Sequence, residues 1–127
     1  MSLTYSDGGA ILDRFVAARV AHDGDAWTAC FGEDADVRLD PFAPSLVGHN
    51  ALRAYLNEAA EAETLFELTI ERHWVSGDMI LASWHAAWTP PGTQARGRLA
   101  GFLTAEVRDG LIVRYRQWWN AREPLAG

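Results

Sequence analysis

Hydrophobic and polar positions change rhythm about half-way along the chain. Before residue 63 apolar residues recur at intervals of three and four; after it they alternate, and these are the periods of helices and strands. Ile11, Phe15 and Ala18 fall on one stripe at i, i+4 and i+7. This predicts a helix over residues 10–22, with Ser6-Asp7 as a cap. His22-Asp23-Gly24-Asp25 interrupts it. Asp25 is then the expected cap of a second, short helix carrying Trp27, Cys30 and Phe31 at i, i+3 and i+4, with Gly32 as its stop. Leu52, Tyr55, Leu56 and Ala59 share one face of a third helix over residues 49–60, opened by Gly48. Between the last two helices, Asp34-Ala35-Asp36-Val37-Arg38-Leu39-Asp40 reads as a short strand stopped by Pro41-Phe42.

The second half predicts four long strands. Over residues 65–75, Phe66, Leu68, Ile70 and Trp74 share one parity, and Glu67, Thr69, Glu71 and His73 the other. Ser76-Gly77-Asp78 is a turn signal. Residues 79–89 follow with Ile80, Ala82, Trp84, Ala86 and Trp88 on one face. Pro90-Pro91-Gly92 breaks the chain before a strand over residues 96–108. Asp109-Gly110 is the strongest hairpin signal, leading into residues 111–120. Helices followed by strands make an α+β domain, with helices on one face of an antiparallel sheet. Strands this long must twist and curl, and a curled sheet closed by helices forms a cone in which a ligand can lodge. The pattern shows no repeat and no linker, so residues 1–127 read as a single domain, with a loosely held tail from Arg122 to Gly127.

Composition narrows the function classes. At 127 residues and 49% hydrophobic, the chain is long enough to bury a core. A formal net charge of −6 argues against nucleic acid or an anionic membrane surface as partner. No apolar run is long enough to cross a bilayer, and no secretory signal is evident. The single cysteine, Cys30, excludes an internal disulfide and suits a cytoplasmic location. No HExxH-type spacing or phosphate-cradling glycine loop is present, so neither metal nor cofactor is expected.

Asp40 is the first chemical candidate. Pro41 pushes it towards extended geometry at the strand end. A carboxylate between a strand and a helix is placed as a general base, though the same residue type often makes a turn or caps a helix.

Three stretches carry a resemblance: Asp34-Ala35-Asp36-Val37 leading to Asp40-Pro41-Phe42, Gly48 through Leu52 to Tyr55-Leu56, and Asp109-Gly110-Leu111-Ile112 running to Trp118-Trp119-Asn120. In them the chain resembles the NTF2-like superfamily, and within it the branch of ketosteroid isomerases and SnoaL-like polyketide cyclases. The resemblance implies a cone-shaped, curved antiparallel or mixed sheet packed on three N-terminal helices. It implies isomerase, cyclase or dehydratase chemistry by proton transfer on a small apolar metabolite, with Asp40 in the place of the base. The isomerases hold their enolate with a tyrosine and a protonated aspartic acid. Here the tyrosine position falls on Phe15, and two supporting tyrosines align with Phe31 and Leu56. The acid position falls near Leu103, or on Thr104 if the hairpin register shifts by one. Losing one such donor typically costs about a hundred- to a thousand-fold in rate, so steroid isomerisation itself is not expected. Non-catalytic binding of a small molecule and a purely scaffolding role are the alternatives.

Replacement donors share the remaining faces. If Trp119 points inward, as its counterpart does in the family, Tyr115 and Gln117 point inward with it; otherwise they lie on an outer face. Tyr115 is the candidate partner of Asp40. Phe15, Tyr55, Trp84, Trp88, Leu103, Gln117 and Trp119 are the expected pocket lining. The six tryptophans either line that pocket for a flat hydrophobic ligand or fill the cone. His73, His85, Arg114, Arg116 and Trp118 are expected on the outer sheet face, a mixture typical of interfaces. The resemblance implies a homodimer through that face, with Glu67 and Glu71 meeting Arg114 and Arg116 across the dyad.

Overall fold

In the computed structural model, which describes residues 2–122, helix α1 (Tyr5–Ala21) begins five residues before the start at residue 10 that the apolar stripe predicts. Its cap is Thr4, whose hydroxyl accepts the Asp7 N–H at 3.0 Å, and not Ser6-Asp7. The extra turn contains Gly8-Gly9 and therefore shows no stripe. A Cβ at Gly8 would stand 2.8 Å from a Val75 methyl, so the bare backbone is what lets α1 lie close to the sheet.

The short helix α2 (Gly24–Thr28) is capped by Asp23, which accepts the Ala26 N–H at 3.1 Å. Asp25, the expected cap, instead pairs with Arg53 at 2.7 Å. Cys30 and Phe31 do not continue the helix. Phe31 opens strand β1 (Phe31–Arg38), and Gly32 lies within that strand. A buried Phe satisfies either period, and pairing with the last strand decides for extended chain. A two-residue strand, β2 (Leu46–Val47), follows and then helix α3 (His49–Ala62). Gly48 precedes α3 at φ 86°, a conformation that glycine adopts without steric cost.

Strands β3 (Thr64–Ser76), β4 (Met79–Thr89), β5 (Gly97–Arg108) and β6 (Leu111–Arg122) match the alternating half of the chain. The sheet order is β2-β1-β6-β5-β4-β3. Only β1 and β6 run parallel, so the sheet is mixed. Asp109 and Gly110 both take left-handed φ, 54° and 78°, as a two-residue hairpin turn demands. The core lies between the inner sheet face and the helices, built from Phe15, Leu52, Leu56, Ile80, Leu103 and Ile112 among others. Of the tail expected to be loose, only Arg122, the end of β6, falls within the described residues.

Two bulges decide which side chains face inward. In β3 the register slips between Ile70 and Arg72, so Glu71 is an extra residue. Beyond it the parity reverses. His73 and Val75 face α1, and Trp74 turns outward, 41% exposed. The expectation that Trp74 points in and His73 out is thereby corrected: His73 stacks on Tyr5 at 4.0 Å and contacts its carbonyl oxygen through Nε2 at 3.1 Å. In β6 the slip falls between the pairs Glu106–Arg114 and Val107–Ile112. It fixes Tyr115, Gln117 and Trp119 on the inner face and Arg114, Arg116 and Trp118 on the outer one.

Candidate functional site

Every layer of the fold contributes a wall to a cavity of about 140 Å³. Helix α1 supplies Phe15 and Arg19, α2 supplies Trp27 and α3 supplies Tyr55. Glu63 follows α3, and Phe66 and Leu68 come from β3. Trp84, Ala86 and Trp88 come from β4, Leu99 and Leu103 from β5, and Tyr115 and Gln117 from β6. Leu39, just past β1, completes the lining.

The two tryptophans of β4 have room because their neighbours on β5 are glycines. Gly97 pairs with Trp88 and Gly101 with Trp84. A Cβ at Gly101 would stand 2.7 Å from the Trp84 ring, and one at Gly97 2.6 Å from the Trp88 ring. The indoles therefore lie along the sheet rather than across the cone, and the cavity stays open between them and the helices.

Two polar groupings interrupt the apolar wall. Tyr115, 2% exposed, stacks on Phe15 at 5.4 Å and donates its hydroxyl to Gln117 Oε1 at 2.8 Å. Gln117 Nε2 and Trp119 Nε1 both donate to the Leu39 carbonyl at 2.9 Å. Burial pushes the Tyr115 phenol far above its ordinary value of 10.0, with Arg19 pulling the other way and Tyr55 adding to the rise. The group is a neutral hydrogen-bond donor at any ordinary pH.

The second grouping centres on Arg19. Its guanidinium holds both oxygens of Glu63 at 2.9 Å, and His22 Nε2 contacts Glu63 Oε1 at 3.0 Å. The cation sits 4.4 Å from the Phe66 ring centre. Burial works against the Arg19 charge, but the hydrogen bonds and charge of Glu63 outweigh it and raise its pKa. The geometry is the bidentate fork that tolerates burial. Arg19 continues the stripe Ile11, Phe15 at i+4 and i+8, so a charge on an apolar face was the available signal for it. Nothing in the local pattern ties it to Glu63, which stands 44 residues away.

Of the residues singled out in the sequence, Phe15, Tyr55, Trp84, Trp88, Leu103, Tyr115 and Gln117 line the cavity. Trp119 lies on the same sheet face but holds the Leu39 carbonyl instead of forming wall. Asp40 is not part of the wall; its neighbour Leu39 is. Asp40 is half-buried, and its Oδ1 accepts the Phe42 N–H at 2.9 Å, the local turn such a residue favours. The residues that sequence reasoning passed over are Arg19, Glu63, Trp27, Leu39, Phe66, Leu68, Ala86 and Leu99. Among the described residues no group of three His, Cys, Asp or Glu is arranged to hold a metal ion.

Residues 12–115 match the SnoaL-like domain. The chain belongs to the SnoaL-like family. An NTF2-like protein from Burkholderia xenovorans superposes with a TM-score of 0.72 at 21% identity, over 92% of each chain. A LEH-like epoxide hydrolase of Mycobacterium tuberculosis superposes at 0.78 and 20% identity, over 91% of this chain and 84% of that one. A Bacillus subtilis protein described as an isomerase superposes at 0.79 and 25% identity, over 91% of this chain and 88% of that one. No curated protein matches the sequence. The α+β fold of this SnoaL-like chain is that of its NTF2-like neighbours. None of its described helices is long and apolar enough to cross a membrane.

Proposed function

We propose that this SnoaL-like protein binds a small, flat, mainly apolar molecule of about one ring in the cavity behind Trp84 and Trp88. The observation that carries this reading is the cavity itself: about 140 Å³, walled mainly by aromatic and aliphatic side chains, with Arg19 paired to Glu63 and Tyr115 to Gln117. An apolar cavity of about 150 Å³ is known to accept benzene, so a ring of that size fits. No metal or organic cofactor is needed for such binding. A net charge of −6 disfavours nucleic acid as a further partner, and a single buried cysteine suits the cytoplasm.

Proton transfer on that ligand, with Asp40 as base and Tyr115 as donor, is the second reading. One observation favours it. Gln117 and Trp119 fix the carbonyl of Leu39, so the inner sheet face sets the position of the segment that carries Asp40. The turn to Phe42 uses only Oδ1. Against it stand the absence of Asp40 from the cavity wall and the apolar Phe15 and Leu103 where the isomerases have donors. Binding is the reading that the geometry supports better.

Tryptophan fluorescence tests both. Titration with cyclohexenone and with phenol should quench saturably in the wild type. If Asp40→Asn leaves the quenching curve unchanged and no turnover is detected, binding stands alone. A shift in affinity, with loss of any isomerisation of the enone, brings Asp40 into the site. No saturable quenching by any one-ring compound rejects the pocket as a binding site.

A further inference from the structure

The charged and amide groups on the cavity wall are paired. Arg19 and Glu63 hold each other, and Gln117 receives the Tyr115 hydroxyl and donates to the Leu39 carbonyl. The two tyrosines of the wall differ. Tyr115 has its partner in Gln117. Tyr55, on α3, is half-buried on the same wall, and its hydroxyl makes no hydrogen bond among the described residues. A tyrosine enclosed in this way usually finds a partner for its O–H.

The surroundings of Tyr55 show where that hydroxyl faces. One side of the ring packs near Trp27, with centres 6.1 Å apart. The Arg19 guanidinium carbon lies 5.8 Å from the ring centre. Burial works against the Arg19 charge, Glu63 upholds it, and the Tyr55 oxygen upholds it further. Tyr115, whose phenol is held neutral chiefly by burial, lies within reach of the same oxygen. The Tyr55 hydroxyl is therefore turned towards Arg19 and Tyr115, which both line the cavity. The partnerless indole N–H groups of Trp27 and Trp84 have no accessible surface, whereas the Tyr55 oxygen keeps some.

We propose that Tyr55 is the polar anchor of the cavity, and that its hydroxyl binds the oxygen of a one-ring alcohol, phenol or ketone. The inference rests on the binding function proposed above and names the class of ligand. A tyrosine hydroxyl both donates and accepts, so it takes a hydroxyl or a carbonyl oxygen. Tyr115 has to release Gln117 before it can donate to a ligand, and Tyr55 donates without breaking a bond within the protein. A hydrocarbon ring gains nothing from Tyr55 beyond contact.

The test pairs each oxygenated ring with a hydrocarbon of its shape: phenol with benzene, and cyclohexenone with cyclohexene. Affinities are measured by calorimetry for the wild type and for Tyr55→Phe, which removes one oxygen and keeps the ring. Phenol and cyclohexenone are expected to bind about three- to ten-fold more weakly to the variant, and benzene and cyclohexene as before. Unchanged affinity for both oxygenated rings, or equal weakening of all the compounds, overturns the inference and leaves the binding function standing. Binding of none of them to the wild type overturns both. Should the variant fail to fold, wild type carrying ¹³Cζ-labelled tyrosine decides. A Tyr55 Cζ resonance that moves with cyclohexenone and not with cyclohexene upholds the inference, and one that responds equally to the two overturns it.

Discussion

Tyr115 and Arg19 are the residues where burial and polarity conflict most, and each has a measurable consequence. The folded state keeps the Tyr115 phenol protonated well above its ordinary 10.0, chiefly through burial. Below pH 10 the phenol is neutral in both states, and the contribution is fully present. Above it the unfolded chain loses the proton and the folded one does not, so stability falls with rising pH by up to about 1.4 kcal/mol per unit. The urea midpoint should therefore drop between pH 10 and 11, and Tyr115→Phe should flatten that drop. The Cys30 thiol, also pushed up by burial, leaves a smaller slope in the variant. An unchanged slope in Tyr115→Phe means that the phenol is not what titrates. For Arg19 the partner is the handle. Glu63→Gln leaves an 8%-exposed guanidinium without its carboxylate. Removing one partner of a buried pair costs about 3–5 kcal/mol, and the 18% exposure of Glu63 places this pair near the lower end. A urea-derived loss under about 1 kcal/mol would show the pair to be effectively solvated. The partner of Arg19 was not legible beforehand, because an ion pair between segments 44 residues apart leaves no periodicity; Gln117, the partner of Tyr115, shares its strand face two residues on.

At the scale of elements, period and turn chemistry carried the fold, and insertions of one residue carried the errors. Strands β3 to β6 were legible because alternation sustained over a whole strand suits a half-buried sheet and does not suit a helix. Helix α3 was legible through its stripe and Gly48. The outward turn of Trp74 was not, since Glu71 adds one residue without changing the local composition. Helix α1 began early because Gly8-Gly9 packs by lacking a side chain, which no hydrophobic pattern records. The same device on β5 can be tested. A Cβ at Gly101 would approach the Trp118 carbonyl oxygen and the Trp84 ring, and the backbone cannot yield as a side-chain end can. Gly101→Ala should destabilise by about 1–3 kcal/mol or more and perturb Trp84 fluorescence. Gly110→Ala, with nothing within 4 Å of its Cβ, should cost only the strain of its φ of 78°. Equal losses in the two would mean that close approach is not what holds Gly101.

For the whole molecule the open question is what covers the outer sheet face. Trp74, Phe102 and Trp118 are exposed there by 41%, 36% and 47%. Trp74 and Phe102 lie 6.1 Å apart, and Phe102 pairs with Trp118 across the hairpin. The charged groups expected to bridge two copies all have partners within their own chain: Glu67 with Arg96, Glu71 with His85, Arg114 with Glu106 and Arg116 with Asp36. A dimer on this face, which we propose, therefore draws its affinity from the aromatic area and little from salt-dependent pairing across the dyad. Sedimentation equilibrium at micromolar concentration should show twice the mass of the 127-residue chain, nearly unchanged between 0.05 and 0.5 M salt, roughly the range over which screening of exposed charges becomes strong. Trp118→Glu puts a charge into the patch and should give a monomer whose cavity binds ligand as before. A wild type that sediments as a monomer at every concentration removes the dimer, and a dimer dispersed by salt alone restores the ion pairs to the interface.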